Sequence, residues 1–165
     1  MVKINDEIFS EFNHLVGICE DGQKGYRLAA KREQDQTLRL LFNRFADEKA
    51  QFAAEIKNEV LKLNGNPDNF NNTSGSMSHR QVFTKAVVTT DSSRAIIAEC
   101  EREEGAIGHV YEEVLKRKDL PPSLHQLIKR QHAKVQDAHH RMTRLNHQDQ
   151  TSQQDVGSAT EGAPD

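Results

Sequence analysis

Apolar residues recur along most of this chain at alternating steps of three and four positions, the spacing of one face of an α-helix. Four long stretches carry the pattern and predict helices over residues 5–32, 36–63, 92–117 and 122–146. Ser78 and Gln81, at the spacing of a capping box, predict a short fifth helix near 79–89. The pattern therefore predicts an all-α protein.

The lengths of the connections predict how these helices are arranged. Short turns near Gln34 and at Leu120-Pro121-Pro122 join the first helix to the second and the third to the fourth. The connection after the second helix is long enough for the chain to travel back along the bundle before it continues. We therefore expect a ferritin-like, up-down-down-up four-helix bundle over residues 1–147, with a long crossover that carries the short helix. Periodicity ends near Asn146, and the polar segment 148–165 is predicted to be a disordered tail.

Composition and charge exclude several classes of function. The formal net charge is −3, and Lys and Arg are scattered among acidic residues, so no basic face is predicted for a nucleic acid. No stretch approaches the ~20 apolar residues that cross a bilayer, and acids interrupt the N-terminus where a signal peptide is apolar. We expect a cytoplasmic protein without membrane insertion. Cys19 and Cys100 lie on apolar stripes and are predicted to be reduced core thiols.

One carboxylate interrupts the apolar stripe of the third long helix. Glu104 occupies a step between Cys100 and Ile107, so its side chain is predicted to point into the core. A buried carboxylate must be paired, hydrogen-bonded or bound to a metal, because an isolated buried charge is very costly. At least one polar side chain of the first or fourth helix is expected within hydrogen-bond reach of Glu104, and the candidates are Tyr26, Gln131, His132 and His139.

Counting residues from the turns predicts a layer of polar groups at one height in the bundle. Asp21 and Glu48 lie at similar distances from the first turn, and Glu104 lies opposite the segment that ends at His139. Carboxylates and imidazoles suit iron or manganese. Asp21, Glu48, Glu104 and His139 are therefore candidate metal ligands, with His132 as a further candidate.

Several short strings resemble an uncharacterised bacterial family. They are residues 19–30 (CEDGQKGYRLAA), 52–56 (FAAEI), 78–80 (SHR), 99–104 (ECEREE) and 131–139 (QHAKVQDAH). The chain resembles, over roughly residues 4–145, a domain-of-unknown-function family grouped with ferritin-like four-helix bundles. Di-iron members of that wider group bind metal through carboxylates and Glu-x-x-His motifs. Here Gln51 and Gln136 stand where that pattern has ligands, so a complete dinuclear site is not expected.

Two functions from different classes remain open at the level of sequence, and whether the protein is an enzyme is not decided. The first is a non-catalytic, self-associating bundle, most simply a homodimer, linked to stress or cell-envelope physiology. Its polar core would fix the register of the helices. The second is an iron- or manganese-binding bundle with oxidase, peroxide-handling or iron-handling activity. In that hypothesis Tyr26 or Tyr111 lies beside the metal ligands.

Overall fold

A computed structural model describes residues 4–63 and 81–158, and that part of the chain folds into five helices with no strand. The helices are α1 (Asp6–Arg32), α2 (Gln36–Lys62), α3 (Val82–Val88), α4 (Ser93–Leu115) and α5 (Pro122–Ser158). The predicted all-α fold is confirmed. Within these residues, no helix is long and apolar enough to span a bilayer.

Side-chain caps begin three of the long helices where the sequence places a polar residue before an apolar run. The side chains of Asn5 and Asp35 accept hydrogen bonds from backbone N–H groups three residues later, at 2.8 and 2.9 Å. Ser92 caps α4 in the same way, at 3.1 Å. Each cap satisfies a backbone donor that has no partner within the helix. The starts of these helices are therefore encoded locally.

The helices pack chiefly as two pairs, α1 with α2 and α4 with α5, while α3 lies against α1 and α4. The buried apolar residues form two clusters along the long axis. One cluster draws on residues 26–30, 41–46, 83–87, 96–100 and 138–142. The other draws on residues 8–19, 52–60, 107–114 and 124–135. All four long helices contribute to both clusters, so each is held along most of its length.

The N-terminal end of α3 is held by the side chain of a distant helix. The carboxylate of Asp21 in α1 accepts hydrogen bonds from the backbone N–H groups of Phe83 and Thr84, at 2.8 and 3.2 Å, and from the Thr84 hydroxyl at 2.7 Å. Next to it, Gly25 lets the Phe83 ring lie directly on α1, since a Cβ at this glycine would lie 2.2 Å from Phe83 Cδ1. The short helix is thus fixed by a cap and a close ring contact.

The C-terminal end of α3 is held by Arg32. Its guanidinium donates to the carbonyl oxygens of Val87 and Val88, each at 2.7 Å, and also to that of Thr90. These carbonyls lie at or just beyond the C-terminal end of α3, where backbone carbonyls have no i+4 N–H partner within the helix. Both ends of α3 are therefore tied to α1.

The ends of two elements differ from the sequence prediction. The predicted start of the short helix at 79 lies outside the described residues. Helix α5 continues to Ser158, beyond the predicted end at 146 and into the predicted tail. From Asn146 to Val156 the chain has no proline or glycine, so nothing local stops the helix even though the apolar stripe has ended. Residues 159–165 lie outside the described residues, and the disorder of the tail stays a prediction.

Candidate functional site

The inward-facing carboxylate predicted on the third long helix is present. Glu104 of α4 is fully buried, at 0% exposure. Its Oε1 accepts a hydrogen bond of 2.6 Å from the hydroxyl of Tyr26 in α1, and its Oε2 lies 2.9 Å from Nζ of Lys49 in α2. The predicted burial and the predicted Tyr26 contact are confirmed. The Lys49 contact was not predicted.

Lys49 is the central residue that the sequence analysis missed. Its side chain is 1% exposed, and its stem runs along α1 at Gly22, where an added Cβ would lie 3.1 Å from the lysine Cγ. Its Nζ also lies 5.3 Å from the centroid of the Phe52 ring. A signal was available, since position 49 fills the missing step, four after Phe45 and three before Phe52, in the stripe of α2. Lysine is rarely buried, so the residue type alone does not predict an inward-facing side chain at this position.

The electrostatics keep Lys49 charged. Burial opposes the ammonium form, but the negative charge of Glu104 and the hydrogen bond to it outweigh burial and raise the pKa of Lys49. Burial and the same carboxylate raise the pKa of Tyr26 well above its ordinary value, so the phenol keeps its proton and donates a hydrogen bond to Glu104. The three side chains form a closed set in which each carboxylate oxygen of Glu104 has a donor.

A second polar set lies farther along the core and involves Gln131, one of the predicted partners of Glu104. The Tyr111 hydroxyl donates to Gln131 Oε1 at 2.7 Å and lies 3.7 Å from Sγ of Cys19. Gln131 Nε2 donates to the Phe52 carbonyl and to Glu55 Oε1, each at 3.3 Å. Gln131 therefore bonds Tyr111 rather than Glu104, and Tyr26 is the candidate that bonds Glu104.

Both cysteines are free and buried, as predicted. Burial raises the pKa of Cys19 to about 11, although the charge of Lys49 acts in the opposite direction. Burial and the charge of Glu104 raise the pKa of Cys100 well above its ordinary value. Because the thiolate is the reactive form of cysteine, these two thiols act as packing groups.

Asp21 does not lie with Glu48, because its carboxylate caps α3 as described above. It faces a cleft of about 230 Å³ between α1, α3 and α4, whose lining also includes His14, Val82 and Glu103. Burial raises the pKa of Asp21, although its hydrogen bonds to α3 act in the opposite direction. Burial, followed by the negative charge of Asp21, raises the pKa of Glu103 to about 8. Two carboxyl groups thus line the same cleft.

The other predicted ligands face different surroundings. Glu48 is half-buried and lines a groove between α2 and α5. His139 packs against α4 at Gly105, where an added Cβ would lie 3.4 Å from its Nε2. His132 stacks on Tyr111 with ring centroids 6.4 Å apart, and its Nε2 lies 3.6 Å from Glu112 Oε1.

The groups that surround Glu104 thus differ from the predicted set of metal ligands. In the part of the chain that the structure describes, no group of three or more His, Cys, Asp or Glu side chains could hold a metal ion. Around Glu104 the structure places an ammonium group and a phenol in place of Asp21, Glu48 and His139. Metal binding by Asp21, Glu48, Glu104 and His139, or by His132, stays a prediction.

Fold and site together define an all-α protein whose long helices enclose a buried lysine–glutamate ion pair. Comparison with protein families places it more specifically. The model of the domain of unknown function DUF2383 matches residues 7–118, and the chain belongs to this family. The match spans α1 to α4 and includes Tyr26, Lys49 and Glu104. Comparison with curated proteins gives no match.

Proposed function

We propose that this protein is a non-catalytic, ferritin-like four-helix bundle whose core is stabilised by a buried ion pair. The bundle acts by association with a second copy of the chain. The contact between Lys49 Nζ and Glu104 Oε2, at 2.9 Å and with both side chains almost wholly buried, carries the proposal. It provides the inward carboxylate with a fixed positive charge.

The two core clusters support the up-down-down-up arrangement. The first cluster contains Tyr26, Phe45, Cys100 and Met142, and the second contains Cys19, Phe52, Tyr111 and Val135. From the first cluster to the second, residue numbers fall in α1 and α5 and rise in α2 and α4. Helices α2 and α4 then run in one direction and the other two in the opposite direction, as in ferritin-like bundles with one long crossover.

The chemistry of the core supports a structural role. In di-iron bundles, metal ions neutralise the carboxylates that project between the helices. Here the ammonium of Lys49 lies beside Glu104, and Tyr26 takes the remaining carboxylate oxygen. A metal ion at this position would have to displace a lysine that its surroundings keep protonated. These three side chains are therefore better suited to fixing the register of the helices than to binding a metal ion.

Metal analysis of the purified full-length chain tests this proposal. After expression in medium supplemented with iron and manganese, we expect no stoichiometric metal by inductively coupled plasma mass spectrometry. Addition of Fe²⁺ or Mn²⁺ to the metal-free chain should also leave its thermal midpoint unchanged. Stoichiometric metal that disappears in a Glu104→Ala variant would overturn the proposal and favour the metal-binding function.

One observation favours an iron- or manganese-binding protein with oxidase, peroxide-handling or iron-handling activity as the second candidate. Asp21 and Glu103 share a cleft, and their mutual repulsion contributes to the raised pKa of Glu103. A cation between them would relieve that repulsion. Metal that is lost in a Glu103→Gln variant but kept in Glu104→Ala would locate binding in this cleft rather than at the ion pair.

Two valines of α3 support self-association. Val82 and Val88 are 58% and 57% exposed, although valine is usually buried. We expect the wild-type chain to have the mass of a dimer by size-exclusion chromatography with light scattering, and a Val82→Glu/Val88→Glu variant to be a monomer. Leu40→Glu is the matched control, because Leu40 is 63% exposed but lies on α2. A monomeric wild type, or a dimer that persists in the double variant, would contradict the proposal.

A cytoplasmic location and a link to stress stay predictions.

A further inference from the structure

A groove between α2 and α5 has features that the ion pair and the proposed self-association do not use. Its volume is about 570 Å³, within the range of small-molecule sites in proteins. Leu41, Phe45 and Ala138 are buried residues that contribute an apolar floor. The walls are polar and mostly charged. The groove is therefore large enough, and varied enough in chemistry, for an organic ligand.

In the described part of the chain, four basic side chains of the groove have no hydrogen-bond or ion-pair partner. They belong to Arg44, Lys134, Arg141 and Arg144. Lys134 and Arg44 act on Glu48 only through their charge. Three acids also line the groove, but the carboxylate of one of them, Asp47, is paired with Arg27. The protein as a whole has a net charge of −3, so a basic excess at this groove is a local feature.

The charges are distributed unevenly along the groove. Gln131 of α5 bonds the carbonyl of Phe52, and Ala138 and Met142 share a core cluster with Phe42 and Phe45. This register places Arg44 of α2 beside Arg141 and Arg144 of α5 at one end. The same register places Glu48 and Gln51 nearer Lys134, and Asp137 lies between the two ends, one helical turn from both Lys134 and Arg141. The arginines are thus concentrated at one end, and the carboxylate and amide acceptors lie at the middle and the other end.

We propose that this groove binds a soluble, phosphorylated small molecule that also carries hydroxyl or amino groups. The phosphate would lie among Arg44, Arg141 and Arg144, because the planar guanidinium donates paired hydrogen bonds that match phosphate oxygens. The hydroxyl or amino groups would donate to Glu48, Gln51 and Asp137. The body of the molecule would lie on the floor formed by Leu41, Phe45 and Ala138. A simple inorganic anion would use only the arginine end.

Calorimetric titration of the full-length chain with inorganic pyrophosphate at low ionic strength tests the arginine end. We expect saturable binding at one site per chain. An Arg141→Gln/Arg144→Gln variant should bind at least about tenfold more weakly, since two charge-assisted donors are lost. An Arg141→Lys/Arg144→Lys variant keeps the charge but loses the fork, and it should fall between the two. Circular dichroism should show that these substitutions at exposed positions leave the fold intact.

The matched control is Lys129→Gln/Arg130→Gln, which removes the same charge from exposed positions of α5 outside the groove. Its affinity for pyrophosphate should stay within about twofold of wild type, because only direct contacts carry large effects. Equal losses in both double variants would show general attraction to a basic helix and overturn the site. Absence of saturable binding by the wild type would overturn it as well. Binding to vesicles containing phosphatidic acid but not to pyrophosphate would overturn the assignment to a soluble ligand. Because the groove is separate from Lys49 and Glu104, these results are independent of the metal analysis.

Discussion

At the scale of single residues, Lys49 and Glu104 depend on each other, because each would be an unpaired buried charge without its partner. We expect Glu104→Gln to lower the free energy of unfolding by about 3–5 kcal/mol, since it leaves the Lys49 ammonium in the core without an anion. If no lysine lay beside Glu104, the same substitution would be expected to cost little stability, because Gln keeps the shape and some of the hydrogen bonds of Glu. Urea unfolding monitored by circular dichroism measures the difference.

The double variant Lys49→Met/Glu104→Gln separates the cost of an unpaired charge from that of the lost contact. It should recover most of the stability lost in Glu104→Gln, because no charge remains buried. Glu113→Gln, at an exposed position of the same helix, should leave the free energy of unfolding close to that of wild type. A Glu104→Gln variant as stable as that control would show that the ion pair is not formed in solution.

Glu103, the neighbour of that pair, makes stability depend on pH. Its carboxyl ionises near 4.5 in the unfolded chain, but burial and Asp21 raise its pKa to about 8 in the folded protein. Between these values the folded state holds a proton that the unfolded state has released, so stability falls as pH rises from about 4.5 to 8. Glu103→Gln should therefore stabilise the protein at pH 8, by about 1–3 kcal/mol, and have little effect at pH 4.5.

Urea unfolding of wild type and Glu103→Gln at pH 4.5, 6.5 and 8 measures this effect. The raised pKa values of Asp21 and Glu48 act with the same sign, so the variant should flatten the pH dependence without abolishing it. Glu113→Gln again serves as the exposed control. Parallel pH profiles for wild type and Glu103→Gln would mean that the Glu103 carboxyl titrates normally.

The core around Glu104 shows how far single residues can be predicted from the sequence. The 3–4 repeat predicted that Glu104 points inward and that Tyr26 is a partner, because periodicity alone determines which face a residue occupies. Lys49 and Glu48 are adjacent in sequence, and both lie close to the stripe of α2. A shift of one position decides which of them is inside. The 3–4 step from Phe45 to Phe52 favours position 49, and in the structure the Lys49 stem lies inside against Gly22 of α1. The partner that makes a lysine acceptable there, Glu104, lies on another helix and is not visible in α2 alone.

At the scale of elements, the position of α3 depends on the glycine beneath it. A Cβ at Gly25 would lie 2.2 Å from Phe83 Cδ1, so Gly25→Ala should push the ring and α3 away from α1 and cost about 1–3 kcal/mol. Hydrogen exchange should show faster exchange for the amides of α3 than in wild type. Urea unfolding gives the loss of free energy.

Gly108→Ala is the matched control for Gly25→Ala. Its added Cβ would meet only Val135 Cγ1 at 3.8 Å, an ordinary contact. The higher helix propensity of alanine should then raise stability by up to about 1 kcal/mol. Destabilisation by both substitutions to a similar degree would show that the Phe83 contact has no special role.

The helix caps show which contacts can be predicted from neighbouring residues in the sequence and which cannot. The caps at Asn5 and Asp35 could be predicted, because a capping side chain and its partner are three residues apart. The cap that Asp21 provides for α3 could not, because it joins residues more than sixty positions apart. Asp21 was therefore predicted as a candidate metal ligand, whereas the structure shows its carboxylate bonded to the start of another helix.

At the scale of the whole molecule, the C-terminal part of α5 extends past the apolar stripe of that helix. We expect deletion of residues 149–165 to change the free energy of unfolding by less than about 0.5 kcal/mol, because this segment lacks large apolar side chains that could dock. The far-ultraviolet circular dichroism signal should fall by more than the loss of a disordered tail would explain, since α5 continues to Ser158. Unchanged ellipticity would support the predicted disorder, and a clear loss of stability would show that the segment packs on the protein.

The close approach of Lys49 to Gly22 predicts which residues should occur together at these positions in related chains. A Cβ at position 22 would lie 3.1 Å from the lysine Cγ, so an alanine there requires the lysine stem to shift by a few tenths of an ångström, and a residue larger than alanine would compete with a buried lysine at 49 for the same space. Lys49, in turn, is tolerated only beside the carboxylate of Glu104. Related chains should therefore change these three positions together: those that have lost the glycine should also lack the lysine and carry an uncharged residue in place of the glutamate. Loss of either charge of the ion pair alone would leave the other buried and unpaired, so changes at positions 49 and 104 should occur together in related chains.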